Sequence, residues 1–242
     1  MKLNVKFMII LSILLLLSAN LIGCVRTYSG EFGSDHTLSE IIEYEKLETI
    51  DVDIKMGVGK LNVSGGIKDI FEGSFIYSID RWKPIIDYSS TSKKGHLLIE
   101  QPSNIGKINI GKKQKYQWDI SLTDELPMDL SVQLGVGSSI LAFDTLNLRN
   151  LNIEMGVGET EIDLSGDWQE DLNVSIEGGV GSATIFLPKD IGVIIEVKGG
   201  IGTIHSDGLI QNGNEYTNEL YNNSQANLII DIEAGIGEII FK

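Results

Sequence analysis

The sequence predicts an all-β chain wound as a β-solenoid, single-stranded and β-helix-like, with rungs of about 21–23 residues. Three observations lead there. After residue 45, apolar residues alternate at a period of two, as in Val52, Ile54, Met56 and Val58, or Ile191, Val193, Ile195 and Val197, and no later stretch sustains a helical period. A Gly-aliphatic-Gly cassette occurs six times, as Gly-Val-Gly from Gly57, Gly135, Gly156 and Gly179 and as Gly-Ile-Gly from Gly200 and Gly235. The first glycines at 135, 156, 179 and 200 are 21, 23 and 21 residues apart, the spacing of a repeat that holds several short strands per unit.

The elements follow in chain order. Residues 1–23 place Lys2 and Lys6 before an apolar run from Phe7 to Leu17 and end in Leu21-Ile22-Gly23 before Cys24, the charge, length and exit of a secretory signal peptide. Leu-Ile-Gly-Cys is similar to a bacterial lipobox, which implies a diacylglyceryl group on Cys24 as the mature N-terminus. Two acyl chains suffice for stable anchoring. The expected location is therefore extracytoplasmic, lipid-anchored to the bacterial cell membrane. Cys24 is the single cysteine, which excludes disulfides, cysteine metal sites and a second thiol nucleophile. Residues 24–45 form the lipidated N-terminus and a polar, Gly- and Ser-rich tether, with His36 in it.

A first β region is expected at 46–130 and a C-terminal β-solenoid at 131–242. At every cassette the alternation slips. After Val58 the next inward candidate is Leu61, after Val157 it is Thr160, after Val180 it is Ala183, and Ile201 and Ile236 lead to Ile204 and Ile239. A three-residue step in a two-residue period requires a bulge or corner, and glycine suits it through positive φ and close backbone approach. The expectation is a corner with its aliphatic residue pointing inward. The same step without glycine, at Phe143 to Leu146 and Leu148 to Leu151, predicts further corners. The longer gap of 35 residues to Gly235 holds a loop or hairpin inserted at 206–227, with Asn212-Gly213 as its turn. Between Gly57 and Gly135 the repeat blurs.

These segments resemble the toast-rack domains and the related putative-adhesin β-solenoids of bacterial envelope proteins. The resemblance rests on "VDIKMGVGKLNVSGG", "WDISLTDELPMDLSVQLGVGSSILAFDTLNLRNLNIEMGVGETEIDLSG" and "IEGGVGSATIFLPKDIGVIIEVKGGIG" and spans about residues 46–242. It implies the fold. It supplies no catalytic residues, and some relatives in the family end membrane proteins of the cell-wall antibiotic response.

Composition and motifs narrow the function. Without residues 1–23 the chain carries 17 basic and 34 acidic residues, a net charge of −17, which disfavours nucleic acid and anionic headgroups. "GKINIGKK", from Gly106, nearly spells a phosphate loop, but Lys113 stands where the magnesium-binding hydroxyl is needed and a strand follows in place of a helix, so no nucleotide is expected. A calcium β-roll requires aspartate at the position held by Ala183 and Ile204. Glu159, Glu161 and Asp163 alternate on one outward parity as a solvated face, and no ladder of acids continues it across rungs.

What remains are surfaces. Lys93, Lys94, Lys107, Lys112, Lys113 and Lys115 gather in an otherwise acidic chain, either as edge-strand lysines or as a patch for an anionic polymer. Trp118 reads as core, whereas Trp82 and Trp168 lie in loop-like contexts suited to stacking on sugars. Tyr216 and Tyr221 in the inserted loop are candidate anchors for a partner. The expected function is a non-catalytic, membrane-anchored lipoprotein acting as a structural or adhesin-like interaction module. No cofactor or metal is expected, and the partners expected are the membrane through its lipid and an envelope protein or polymer. The alternatives are a regulator of the envelope-stress or cell-wall antibiotic response that binds a membrane partner, and a carbohydrate-binding or carbohydrate-active protein.

Overall fold

The computed structural model describes residues 35–103 and 114–242. The signal peptide, Cys24, the start of the tether and the lysines at 107, 112 and 113 lie outside the described residues. Fourteen strands follow in order among those described: β1 His36–Ile42, β2 Thr49–Ile67, β3 Phe71–Tyr77, β4 Ile85–Thr91, β5 Lys94–Glu100, β6 Tyr116–Thr123, β7 Met128–Ala142, β8 Leu148–Asp163, β9 Leu172–Glu177, β10 Val180–Phe186, β11 Gly192–His205, β12 Ile210–Asn212, β13 Glu215–Thr217 and β14 Asn227–Phe241. The one departure from strand and turn among the described residues is a short 3-10 turn at Asp80–Trp82.

The long strands each contain a cassette near the middle, which divides them into an entry arm and an exit arm. Parallel rungs stack in the order β5/β6, β2, β7, β8, β9/β10, β14, β11, where β5 and β9 are entry arms and β6 and β10 the matching exit arms. Alternation explains the core. Val52, Leu130, Leu151, Val174, Ile230 and Ile195 form one buried row across six entry arms. Ile54, Val132, Ile153, Ile176, Ile232 and Val197 form the next. On the exit arms Val63, Leu141, Ile162, Ile185 and Phe241 align likewise. Each such side chain removes apolar surface from water, worth about 1.5–3 kcal/mol when fully buried.

The corners predicted without glycine are present. Phe143, Leu146 and Leu148 are all buried, Leu146 N donates to Phe143 O at 3.0 Å, and the register of β7 against β8 shifts between Met128 and Asp129.

Four expectations need correction. The tether does not run to residue 45, because His36–Ile42 pairs antiparallel with β3 and His36 stacks on Tyr77 at 5.2 Å. The apolar Leu38 and Ile42 pack against the core, which holds this segment to the body. Residue 130 is no break, since β7 runs through it and pairs with β2 along both arms. The insertion at 206–227 does form the expected hairpin with Asn212-Gly213 at its turn, but it is bound to the body and is not a free loop. Its hairpin, β12 and β13, pairs antiparallel with the entry arm of β11. That hairpin occupies the outer side of β11, so β14 enters on the inner side, between β9/β10 and β11, and the last two rungs stand in reverse of chain order. The fourth correction concerns the cassettes themselves.

Candidate interaction surface

The register places all six cassettes side by side: Val58, Val136, Val157, Val180, Ile236 and Ile201 are consecutive neighbours across the stack. At about 4.8 Å per rung they form a line roughly 24 Å long. The glycines on both sides explain how the rungs approach. A Cβ on Gly135 would lie 2.3 Å from the carbonyl oxygen of Gly57, one on Gly156 2.0 Å from that of Gly135, and one on Gly179 1.7 Å from that of Gly156. The second glycines form a parallel column, where a Cβ on Gly158 would meet Gly137 O at 1.7 Å. In that column Gly59, Gly137, Gly158, Gly181 and Gly237 also hold φ between +146° and +154°, a region essentially reserved for glycine.

The aliphatic residue between those glycines is not core. Val136, Val157, Val180 and Ile236 are exposed by 49%, 51%, 48% and 56%, and Ile201 by 75%, against the expectation that the cassette residue is buried. Each has glycine before and after it and its counterparts as register neighbours on the adjoining rungs. A groove of about 120 Å³ runs along four of the six cassettes, those of Val157, Val180, Ile236 and Ile201, and is lined also by Met155, Thr160, Ala183, Ile204 and Ile239. The row beyond it is polar: Lys60, Ser138, Glu159, Ser182, Glu238 and Thr203. Buried Ser139 and Thr160 satisfy each other, Ser139 Oγ donating to Thr160 Oγ1 at 3.0 Å.

At the β2 corner the neighbouring rung is split between β5 and β6, and a side chain takes its place. Gly57 N and Val58 N both donate to Gln101 Oε1, at 2.6 and 2.9 Å. Nothing in the spacing of the cassettes points to Gln101, because its role comes from a rung that is interrupted.

The residues singled out from sequence scatter. Trp168 is buried, its Nε1 donating to Leu164 O at 2.9 Å, and Trp82 is buried edge-on against Tyr116 at 5.6 Å, so neither presents a sugar-stacking face. Their loop-like sequence context hides the fact that the body folds over them. Trp118 is core, as expected. Tyr216 is buried against Phe241, with ring centroids 5.9 Å apart, and is no partner anchor. Tyr221 is half-buried. Lys115 is exposed and pairs with Asp35 at 2.8 Å, holding that carboxyl below the usual range with help from Ser78. Lys93 pairs with Glu48, and Lys94 with Asp51 at 2.7 Å. Glu159 stands between Ser138 and Ser182, and Glu161 between Ile140 and Thr184, so acids do not face acids across these rungs. Among the described residues, no three His, Cys, Asp or Glu side chains gather as a metal-holding group. No helix among them is long and apolar enough to cross a membrane.

An all-β stack with glycine corners and a regular outer line is the architecture of a toast-rack protein. Residues 31–186 match the family model for the N-terminal domain of toast_rack, and residues 135–240 match that of the cell wall-active antibiotics response LiaF C-terminal region. The chain belongs to the toast-rack family. It is similar to the crystal structure of a putative cell adhesion protein from Clostridium sporogenes, with 37% identity, a TM-score of 0.83, and 86% of this chain and 99% of the other covered. A putative adhesin from Bacteroides fragilis is also similar, at 13% identity and a TM-score of 0.31, with coverage of 86% and 97%. No curated protein matches the chain.

Proposed function

We propose that this protein is a non-catalytic, lipid-anchored module of the bacterial envelope that binds a partner along its aliphatic corner line. The observation that carries the reading is the line itself: apolar side chains on consecutive rungs, exposed by 48% to 75% from Val136 to Ile201, on a backbone that its glycine contacts leave little room to deform. An exposed apolar line rimmed by polar residues is a contact surface. The family match supports an envelope role, and the expected lipid on Cys24 would hold the body near the membrane. Lys115 and Tyr221 are proposed as contacts at the periphery.

Chemical crosslinking on intact cells tests this, comparing the full chain with the double variant Val157→Asn, Val180→Asn. Both positions are half exposed, so the fold should persist, and capture of the envelope partner should fall at least about tenfold, as for a loss of roughly 1.4 kcal/mol or more. Unchanged capture in a variant with unchanged melting overturns the corner line as the binding surface. If Lys115→Glu instead abolishes capture in a salt-dependent way, the partner is an anionic polymer.

The match of residues 135–240 to the antibiotic-response region favours a second reading, regulation of the cell-wall antibiotic response through a membrane partner. Deleting the protein should then change transcription of cell-wall stress genes on exposure to a cell-wall antibiotic. An unchanged response removes that reading.

A further inference from the structure

The rows beside the corner line turn acidic in the middle of the stack. Three positions before each cassette aliphatic, the register runs Lys55, Gln133, Glu154, Glu177, Glu233 and Lys198. Glu154, Glu177 and Glu233 therefore stand on consecutive rungs about 4.8 Å apart, unlike the row of Glu159, where a serine intervenes. Like charges set directly opposite one another destabilise a sheet. The nearest cation in the row, Lys198, is held by Glu196 at 2.9 Å and lies 3.8 Å from Asp231. On the other side of the line, Glu159 and Glu238 follow Val157 and Ile236 by two residues, and Glu238 pairs with His205 Nε2 at 2.9 Å. Glu159, Glu177, Glu233 and Glu238 are exposed and Glu154 is half-buried. The groove along Val157, Val180, Ile236 and Ile201 is thus apolar along its axis and bordered by carboxylates on both sides.

We infer that the partner seated in this groove is a cationic amphipathic helix, lying along the stack with its apolar stripe on the corner line and its lysines or arginines against the two rows of glutamates. The inference rests on the corner line being the binding surface. Spacing selects a helix over a strand. A helix offers one apolar residue per turn of about 5.4 Å, close to the rung spacing of about 4.8 Å, so about three turns follow the four rungs of the groove. An extended strand laid the same way offers same-face side chains about 6.6 Å apart, and these fall between rungs. Charge selects the flanks. A helix with its apolar face in a groove is anchored by residues on that face, and basic residues beside its stripe relieve the repulsion among Glu154, Glu177 and Glu233. The net charge of −17 outside residues 1–23 draws such a segment in and repels an acidic one.

The probe is a synthetic peptide of about 14 residues, with a leucine once per turn, lysines on both sides of that stripe, and one stripe leucine replaced by a photoreactive benzophenone residue. It is irradiated with the full chain held in phosphatidylcholine nanodiscs, whose scaffold protein reports labelling by peptide that has merely entered the lipid. The chain should be labelled at least about tenfold more than the scaffold, and this excess should shrink as salt is raised. Glu154→Gln, Glu177→Gln and Glu233→Gln together should cut labelling at least about tenfold, with an unchanged or raised melting temperature because like-charge contacts are removed. A peptide with the same leucines and glutamate in place of lysine should label the chain no more than the scaffold. Labelling that survives both the triple variant and that exchange, while Val157→Asn, Val180→Asn still abolishes it, overturns the cationic helix and leaves the corner line as the binding surface. Full labelling of the valine double variant overturns both. Wild-type labelling no greater than the scaffold's, or equal labelling by a peptide with its leucines scrambled off the stripe, also overturns the cationic helix.

Discussion

At the scale of single residues, the cassette separates two roles that lie next to each other in sequence. The glycines set how closely rungs stack, and the aliphatic residue between them contributes little to the core. Gly179→Val drives a Cβ to within 1.7 Å of Gly156 O. The difficulty there is rung contact and not φ, since the left-handed φ of that corner belongs to Gly181 at +146°. Overpacking of this kind costs about 3 kcal/mol, which for a chain of this size lowers the melting temperature by about 6–12 °C. Val157→Thr, one residue from Gly156 and half exposed, should change melting by less than about 2 °C, as surface substitutions do. Thermal unfolding followed by circular dichroism decides, and equal effects of the two would remove the distinction. Gln101→Ala leaves two amide N–H groups without their acceptor. As Gly57 is exposed, water replaces part of the loss, and destabilisation of about 1 kcal/mol is expected in urea unfolding.

At the scale of elements, caps hold the ends of the stack. The connection from β1 to β2 is clamped onto β4 by Glu45, whose carboxylate accepts from Tyr88 Oη at 2.7 Å and Ser90 Oγ at 2.8 Å. Those bonds, Tyr88 first, hold the Glu45 carboxyl below its ordinary value of 4.5. A carboxylate lowered in the folded state stabilises above its unfolded value, and the stabilisation is lost as pH falls through the folded value. Melting should therefore decline below pH 4.5, and Tyr88→Phe should flatten that decline by lowering the melting temperature at pH 7 while leaving the acid end of the curve close to wild type. A variant with an unaltered pH profile would remove the clamp. Tyr88 itself is pushed up to about 12, by burial first and Glu45 second. The hairpin is a cap of the same kind. Val193 N donates to Asn218 Oδ1 at 2.9 Å, and Asn218 Nδ2 donates to Ile191 O at 2.7 Å. With Tyr216 buried on Phe241, deletion of residues 211–224 should expose β11 and lower stability by several kcal/mol. Hydrogen exchange should then show β11 opening first, whereas an unchanged protection pattern would make the hairpin dispensable.

At the scale of the whole molecule, the body and its anchor are separate questions. If Cys24 carries the lipid, Cys24→Ala should leave unprocessed precursor or release the protein to the medium, and detergent partitioning measures this. Unchanged processing and partitioning in the variant would remove the lipoprotein reading.

The sequence by itself determined the strand periodicity, the six corners and the rung spacing, because side-chain alternation and glycine placement are local rules that each strand obeys alone. It also carried the exclusion of a calcium roll, since Ala183 and Ile204 occupy the ligand position. Only the tertiary structure decided what lies on the surface. Val157 and Ile153 share a parity, yet one is half exposed and the other buried, because burial depends on what packs opposite and nothing closes over the corner. Trp168 and Tyr216 sit in polar stretches and are buried, Tyr216 against Phe241 from an element distant in sequence. The order of the last rungs was equally out of reach, since β14 has the same alternation wherever it docks. Its place between β9/β10 and β11 follows from the side of β11 that the hairpin had already taken.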